Sequence, residues 1–459
     1  MLGMLKEKLE STFDFKLNRN QLKDLERLSF EIMRRENITL EALVSYLKNN
    51  SFAAKQQGRN KFFALKAALI QYRFPLTTQR QIIDAKKVFL NKINEPLLDN
   101  WQAQKEFKPL KVFVEGAVKD NYLVDNFQKY FPAVEIEVIN RYSEYLKKNK
   151  FSLAQLKKPL IFIIKENWDF LKPCPCTKEH LSCGYWIFNL GFGCPYDCSY
   201  CFLQQYTNFP GIILPANLED FFEKFDNFIK KLTKPIRIGT GEFCDSLALD
   251  HLTEYSKRLI PYFANKNIFF ELKTKSANIA NLATIRPPKN IVISWSLNPA
   301  EIIESEEKAT ANLEERLDAA VKLQNIGYRI AFHFDPIIHL SGWQNLYRDL
   351  IDKIYTKINP PFSWISLGTL RSHRELKTIV ELRFPKSSIF YGELFLGEDK
   401  KLRYPLFLRK EIYTHMIKWI RNYDLKTPVY LCMENKEIWD VLDKELKNTL
   451  QIENYILNG

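Results

Sequence analysis

The sequence predicts an α/β protein: a partial (β/α)6 barrel with an α-helical N-terminal region and a small α/β unit before the barrel. Two patterns carry this expectation. Six apolar β-type runs (Tyr185 to Leu190, Ile236 to Glu242, Ile268 to Lys275, Ile291 to Leu297, Arg329 to Phe334, Trp364 to Leu370) are spaced by helix-length segments. Strands alternating with amphipathic helices pair in parallel through right-handed crossovers, and six in a row point to a sheet curved like an open barrel. A doubly wound open sheet is the competing arrangement. The second pattern lies upstream, where Leu22, Leu25, Leu28, Ile32 and then Leu40, Leu43, Leu47 recur at helical steps.

Taken in order, residues 1–105 are expected to be a basic helical region and 106–170 a small α/β unit built on Val112 to Val114, Val134 to Ile139 and Leu160 to Ile164. The barrel is placed at 171–380, and 381–459 is read as a C-terminal α/β extension with a basic hairpin. In a barrel, reactive residues lie just past the C-terminal ends of the strands.

The chain has 459 residues, of which 46% are hydrophobic and 26% charged. That balance excludes a largely disordered or collagen-like protein and supports two or three domains. No apolar run is long enough to span a bilayer, and Lys6, Glu7 and Lys8 interrupt any signal-peptide core, so a cytoplasmic protein with no membrane partner is expected. In that compartment eight cysteines favour metal or redox chemistry over disulfides. The net charge of +13 favours a polyanionic partner. Much of the excess lies in 51–94, where Lys55, Arg59, Lys61, Lys66, Arg73, Arg80, Lys86, Lys87 and Lys92 face the single acid Asp84. A phosphate-tracking surface and a solvated helix face are the two readings of it.

After the first barrel strand comes Gly-Phe-Gly-Cys194-Pro-Tyr-Asp-Cys198-Ser-Tyr-Cys201-Phe-Leu-Gln. Three thiols on one loop can ligate three irons of a cubane cluster and leave the fourth iron open, which marks a catalytic site. A zinc site completed from afar, or three buried thiols, are the competing readings. A second group, Cys174, Cys176, His180 and Cys183, offers a zinc or auxiliary-cluster site, against a redox-active thiol pair or a loop packed over the cavity. Cys432 lies in an apolar run and is expected in the core.

The spacing C-x3-C-x2-C, with an aromatic residue before the last cysteine, resembles the radical S-adenosylmethionine (SAM) superfamily. The cysteine loop together with Lys275, Ser296-Leu-Asn298-Pro, Leu313-Glu-Glu-Arg316, Gly327-Tyr328, Asp335-Pro336 and Gly342-Trp343 resembles the spore photoproduct lyase family over roughly residues 110 to 435. The resemblance implies a radical-SAM-type barrel in which Cys194, Cys198 and Cys201 hold a 4Fe-4S cluster and SAM is reductively cleaved to a 5′-deoxyadenosyl radical. It implies that Gly239, Gly241 and Glu242 meet the SAM amino group, that Lys275 pairs with its carboxylate, and that Ser296 and Asn298 lie near its ribose.

The implied substrate is a methylene-linked thymine dimer in DNA, and the implied partner a reductase or a flavodoxin- or ferredoxin-type electron donor. Two departures bear on the last step. The relay tyrosine after the last cluster cysteine is Phe202 here, although Tyr200 is retained, and the counterpart of the hydrogen-donor cysteine, Cys244, falls about two residues late, with Glu242 nearer its slot.

His333 and Asp335 share a strand face and are candidates for substrate contact, against a satisfied core histidine. His339 and His373 are loop candidates. Arg371, His373, Arg374, Arg403, Tyr404, Arg409 and Lys410 surround a turn at Glu-Asp-Lys-Lys and suit phosphate contact with stacking. The alternatives are a radical SAM enzyme acting on a non-DNA substrate and a non-catalytic, metal-stabilised nucleic-acid-binding protein.

Overall fold

Runs rich in Val, Ile and aromatic residues, bounded by turn formers, fold into seventeen strands among the described residues. The computed structural model describes residues 2–50, 59–82, 84–98, 100–168, 170–176 and 180–458. β1 (Lys111–Glu115), β2 (Ile136–Ile139) and β3 (Leu160–Ile164) come first, and β4 (Leu171–Pro173) and β5 (Tyr185–Phe188) follow. The two-residue β6 (Asp197–Cys198) precedes β7 (Ile212–Pro215), β8 (Ile236–Gly239), β9 (Ile268–Thr274), β10 (Ile291–Ser296) and β11 (Glu307–Lys308). The series ends with β12 (Arg329–Ile337), β13 (Ile365–Thr369), β14 (Arg371–His373), β15 (Phe395–Leu396), β16 (Lys401–Arg403) and β17 (Val429–Leu431).

The large sheet has the order β17-β13-β12-β10-β9-β8-β5-β4. From β5 to β17 every neighbouring pair is parallel, and only the β4 edge is antiparallel. The order follows the chain without reversal, so there is no switch point and the doubly wound alternative is excluded. Six expected barrel strands are present, with β17 and β4 added at the edges. The open side between those edges is crossed by the loop that carries the second cysteine group, where Leu181 N–H donates to the Glu434 carbonyl at 3.1 Å.

Parallel register sorts the residues onto two faces. Ile238, Phe270, Leu272, Ile293, Trp295 and Phe332 share one, and all are buried. It packs against helices such as Leu313–Ile326, whose capping box joins Asn312 and Glu315 and whose Gly327 ends it at φ +110°. The other face carries Arg237, Gly239, Glu271, Lys273, Ser294, Ser296, His333 and Asp335. A folded chain places buried polar groups side by side only where they pair with each other or with a ligand.

A second sheet has the order β2-β1-β3-β7, all parallel. β7 comes from beyond the cysteine loop, so the small α/β unit expected at 106–170 is completed by residues 212–215. The cysteine loop is thereby held between β5 of one sheet and β7 of the other.

The chain groups into two units: residues 1–96, 338–341 and 370–408, and residues 97–337, 342–369 and 409–459. This differs from the expected cuts at 105, 170 and 380, for a packing reason. Helices α1 (Leu2–Phe13), α2 (Arg19–Glu36), α3 (Leu40–Asn49) and α4 (Arg59–Arg73) bury Leu9, Leu25, Leu28, Leu43 and Leu69 in one core that also takes Phe395. The insertion 370–408 therefore folds with the N-terminal helices and not as part of a C-terminal extension.

A buried ion cluster reinforces that unit: Glu31 accepts from Arg27 and Arg73 at 2.7 Å each and from Lys377 at 2.5 Å, and Arg27 also bonds Glu381. Burial alone would raise the Glu31 carboxyl, but Lys377, Arg73 and Arg27 hold it well below the usual carboxylate range. A carboxyl with a depressed folded pKa stabilises fully above its unfolded value near 4.5, and that contribution is lost as pH falls below it. Limited proteolysis of 370–408 should accelerate as pH drops from about 6 to about 3.5. Glu31→Gln should raise the proteolysis rate at pH 6 and flatten the pH response; an unchanged profile would reject this role.

The basic stretch 51–94 is corrected in part. Arg73 is buried against Glu31, Lys61 is buried over the Phe13 ring, Lys66 pairs with Asp24 at 2.6 Å, and Arg80 stacks on Phe407 at 4.4 Å. Lys55 and the Arg59 side chain lie outside the described residues. Lys86, Lys87 and Lys92 are exposed.

Candidate active site

The cysteine loop leaves β5 and turns at Gly193, whose φ of +92° and tight approach to Gly211 O (2.8 Å from an added Cβ) require a glycine. Cys198 lies in β6, directly opposite Glu307 of β11, and Cys201 N–H closes a turn onto Cys198 O at 3.1 Å. Burial pushes the Cys194 thiol well above its ordinary range and Cys198 up to about 12. Cys201 acts electrostatically on both, which marks the three as one neighbourhood. Among the described residues no three His, Cys, Asp or Glu side chains close into a metal cage. The donor set still fits a cluster: three soft sulfur ligands sit on one loop, and burial disfavours the thiolates of Cys194 and Cys198 unless a cation pairs with them.

Around Cys198 lies a buried network that connects four of the expected residues. Tyr200 donates to Glu307, Lys275 Nζ bonds Tyr200 Oη at 2.5 Å and Glu307 Oε1 at 2.9 Å, and Asn298 Nδ2 bonds Glu307 Oε1 at 2.9 Å. Tyr347 Oη donates to Asn298 Oδ1 at 2.8 Å. Arg316 completes it, with Nη2 2.6 Å from Glu307 Oε2 and Nη1 2.8 Å from the Ser296 carbonyl. Burial opposes the Glu307 charge, but Lys275 and Arg316 hold its carboxyl far below the usual range. Ser296 thus enters through its backbone, while Lys275 and Asn298 present side chains.

Glu307 and Asp245 have no place among the sequence-derived candidates. Asp245 accepts from Thr274 Oγ1 at 2.6 Å and from the Lys275 N–H at 2.7 Å, fixing the backbone that carries the lysine. Glu307 sits in a charged run, Glu304-Ser-Glu-Glu-Lys308, that reads as solvated helix, and only its pairing with β6 buries it. The Arg316 match gave the one usable signal, since a fully buried arginine requires a carboxylate.

The glycines of the second barrel strand have a steric reason. A Cβ at Gly239 would collide with Tyr185 Oη and Glu271 O, and one at Gly241 would come 2.8 Å from Lys273 Cβ. Gly239→Ala should cost roughly 1–3 kcal/mol in a denaturant melt; a loss under about 0.5 kcal/mol, the usual size of a surface effect, would show that the strand gives way. Glu242 acts electrostatically on Lys273.

Cys244 lies on the loop after β8, its thiol 3.5 Å from Thr240 O, and the neighbouring Phe243 carbonyl accepts from Gly193 N–H at 3.0 Å. The loop therefore touches the cluster loop. Burial, with Asp245 beside it, pushes this thiol up to about 12. Phe202 has no phenol, and its ring lies edge-on to Tyr206 at 5.7 Å.

In the second cysteine group, hydrogen bonding with Cys176 and then burial raise the Cys174 thiol, with Glu242 and Cys432 adding to it, and burial raises Cys183. Residues 177–179 of that group lie outside the described residues. Cys432 is half-buried at the end of β17, with N–H donating to Leu367 O at 2.8 Å, and is less buried than the core position expected. His333 is buried and bonds Glu271 at 2.7 Å, which is the satisfied-histidine reading, while Asp335 acts on Lys273. Burial lowers His339 to about 4.

The basic hairpin is present as β15 and β16 with the turn between them, but its aromatic and arginine members face inward. Arg403 is buried on Asp399 at 2.6 Å, and Tyr404 is buried with its hydroxyl accepting from the His339 N–H at 2.9 Å. In the other unit Arg409 pairs with Glu434 and Lys410 with Glu437 at 2.7 Å. Arg374 and Lys400 are exposed.

The family model for spore photoproduct lyase matches residues 107–421. The chain belongs to the spore photoproduct lyase family. Spore photoproduct lyase of Bacillus subtilis (strain 168) is 25% identical over 310 residues, covering 65% of this chain and 87% of that protein. Its Clostridium acetobutylicum counterpart is 25% identical over 258 residues, covering 54% and 74%. The solved structure of a spore photoproduct lyase complexed with dinucleoside spore photoproduct superposes with a TM-score of 0.62 at 22% identity, over 71% of this chain and 99% of that one. The shared fold is the curled half-barrel of radical SAM proteins. The family match starts beyond the N-terminal helices, so it does not account for α1 to α4.

Proposed function

We propose that this chain is a radical SAM lyase that repairs a DNA photolesion of the spore photoproduct type. Family membership over residues 107–421 carries the reading, supported by the three-thiol loop between the two sheets. It weighs against both a non-catalytic nucleic-acid-binding protein and a radical SAM enzyme of another substrate class. Cys194, Cys198 and Cys201 would hold a 4Fe-4S cluster, and with SAM bound that group supplies a one-electron cleavage yielding a 5′-deoxyadenosyl radical.

The chain's own residues position and shield. Lys275, charge-balanced by Glu307, offers an ammonium to an anionic SAM group, and Asn298, oriented by Tyr347, offers an amide. Gly239, Gly241 and Glu242 form the turn that borders the SAM amino group, and Ser296 the wall by its ribose. Cys174, Cys176 and Cys183 form a lid across the open side of the barrel. Tyr200 holds Lys275 in register through its hydroxyl.

Cys244 is the hydrogen donor in this reading. A donor must keep its S–H bond at neutral pH, which a thiol pushed up to about 12 does. The electron comes from a reductase or a flavodoxin- or ferredoxin-type donor in the cytoplasm, where thiols stay reduced.

The test is repair of ultraviolet-irradiated, dehydrated DNA by the reconstituted chain, followed by chromatography of the linked thymine product. SAM cleavage without loss of that product would overturn the substrate assignment. Cys244→Ala should keep SAM cleavage and lose clean return to thymine; an undiminished thymine yield would remove Cys244 from the mechanism.

A further inference from the structure

Three residues that face one cavity of about 240 Å³ beside the cluster loop have left-handed backbones: Lys157 (φ +67°), Gly193 (φ +92°) and Gly211 (φ +84°). Two are glycines, for which this conformation is free. The third is a lysine, for which it costs on the order of the strain stored at functional positions. Among the described residues no acid holds Lys157 there: Nζ donates to the Cys194 carbonyl at 3.1 Å. The residue comes from the segment just before β3, which anchors the small sheet, so the ammonium is delivered from a different element onto the first cysteine of the loop. Trp101 and Phe107 line the same cavity.

We propose that Lys157 is a positioning residue of the cluster loop whose ammonium makes a cluster held by Cys194, Cys198 and Cys201 easier to reduce. This rests on the cluster reading above. Adding an electron adds negative charge to the cluster, and a fixed cation hydrogen-bonded to a ligand's own backbone favours the reduced form. The hydrogen bond also holds the Cys194 peptide in one orientation, while the left-handed turn aims the side chain at it.

The test is a redox titration of the reconstituted protein, followed by electron paramagnetic resonance of the reduced cluster, with no turnover required. Lys157→Met is expected to lower the reduced-to-oxidised ratio at a fixed poise about tenfold, which is about 59 mV for a one-electron couple. Lys157→Arg should restore most of it. Lys157→Gly relieves the left-handed backbone while deleting the charge, so it should unfold later than wild type yet show the same lowered potential. Opposite signs in these two readouts separate charge from packing, and should Lys157→Met take up no iron, Lys157→Gly gives the same comparison. A wild-type potential in both charge-deleting variants would overturn this proposal alone. A wild-type chain that takes up no iron would overturn the cluster reading as well.

Discussion

Cys198→Ala is expected to abolish both cluster loading and SAM cleavage in the reconstituted chain. Loss of an outer-sphere partner of a metal site costs about 10- to 100-fold in affinity or activity, and loss of one of three ligands should cost more. Cys198 is the sharpest choice because, of the three proposed ligands, it is the one built into a strand, opposite Glu307. The measurement is iron per chain and 5′-deoxyadenosine formed under anaerobic reduction. A variant with full iron and undiminished cleavage would refute the assignment of the loop.

The second large effect is on Glu307. Its carboxylate is buried and balances Arg316, also fully buried, together with Lys275. Removing one partner of a buried pair leaves the other charge uncompensated, at about 3–5 kcal/mol. Glu307→Gln keeps the shape and loses the charge, so it should lower stability by that amount in urea melts followed on the larger unit. Replacing both partners, with Glu307→Gln and Arg316→Met, should recover part of the loss, because the fully buried guanidinium is then no longer left without its carboxylate, while Lys275 alone still faces position 307. Strictly additive losses would mean that the two side chains do not act as a pair. The single variant should also weaken SAM binding, because Lys275 and Tyr200 lose the acceptor that orders them.

These expectations show where the site was readable. The cluster loop was legible because its chemistry is local: three thiols within eight residues declare themselves without a neighbour. The barrel strands were legible because apolar runs repeat at a period that only alternating strands and helices produce. Lys275 and Asn298 could be placed through their positions at strand ends, yet nothing in their spacing shows that both converge on one carboxylate. That convergence depends on β11, a two-residue strand within a charged run, pairing across more than a hundred residues with β6. The hairpin arginines illustrate the reverse case. Arg403 looks like a phosphate contact in sequence, but its alternation along β16 turns it inward onto Asp399.

The sequence by itself determined the cofactor chemistry, the family and the order of the barrel strands, since each is written in short-range spacing. Tertiary structure alone decided three further things: that residues 212–215 complete the small sheet, that 370–408 folds with the N-terminal helices, and that Glu307 and Lys157 act on the cysteine loop. The physical reason is common to all three. Each depends on a long-range contact made to bury apolar surface or balance a buried charge, and such contacts have no fixed spacing along the chain.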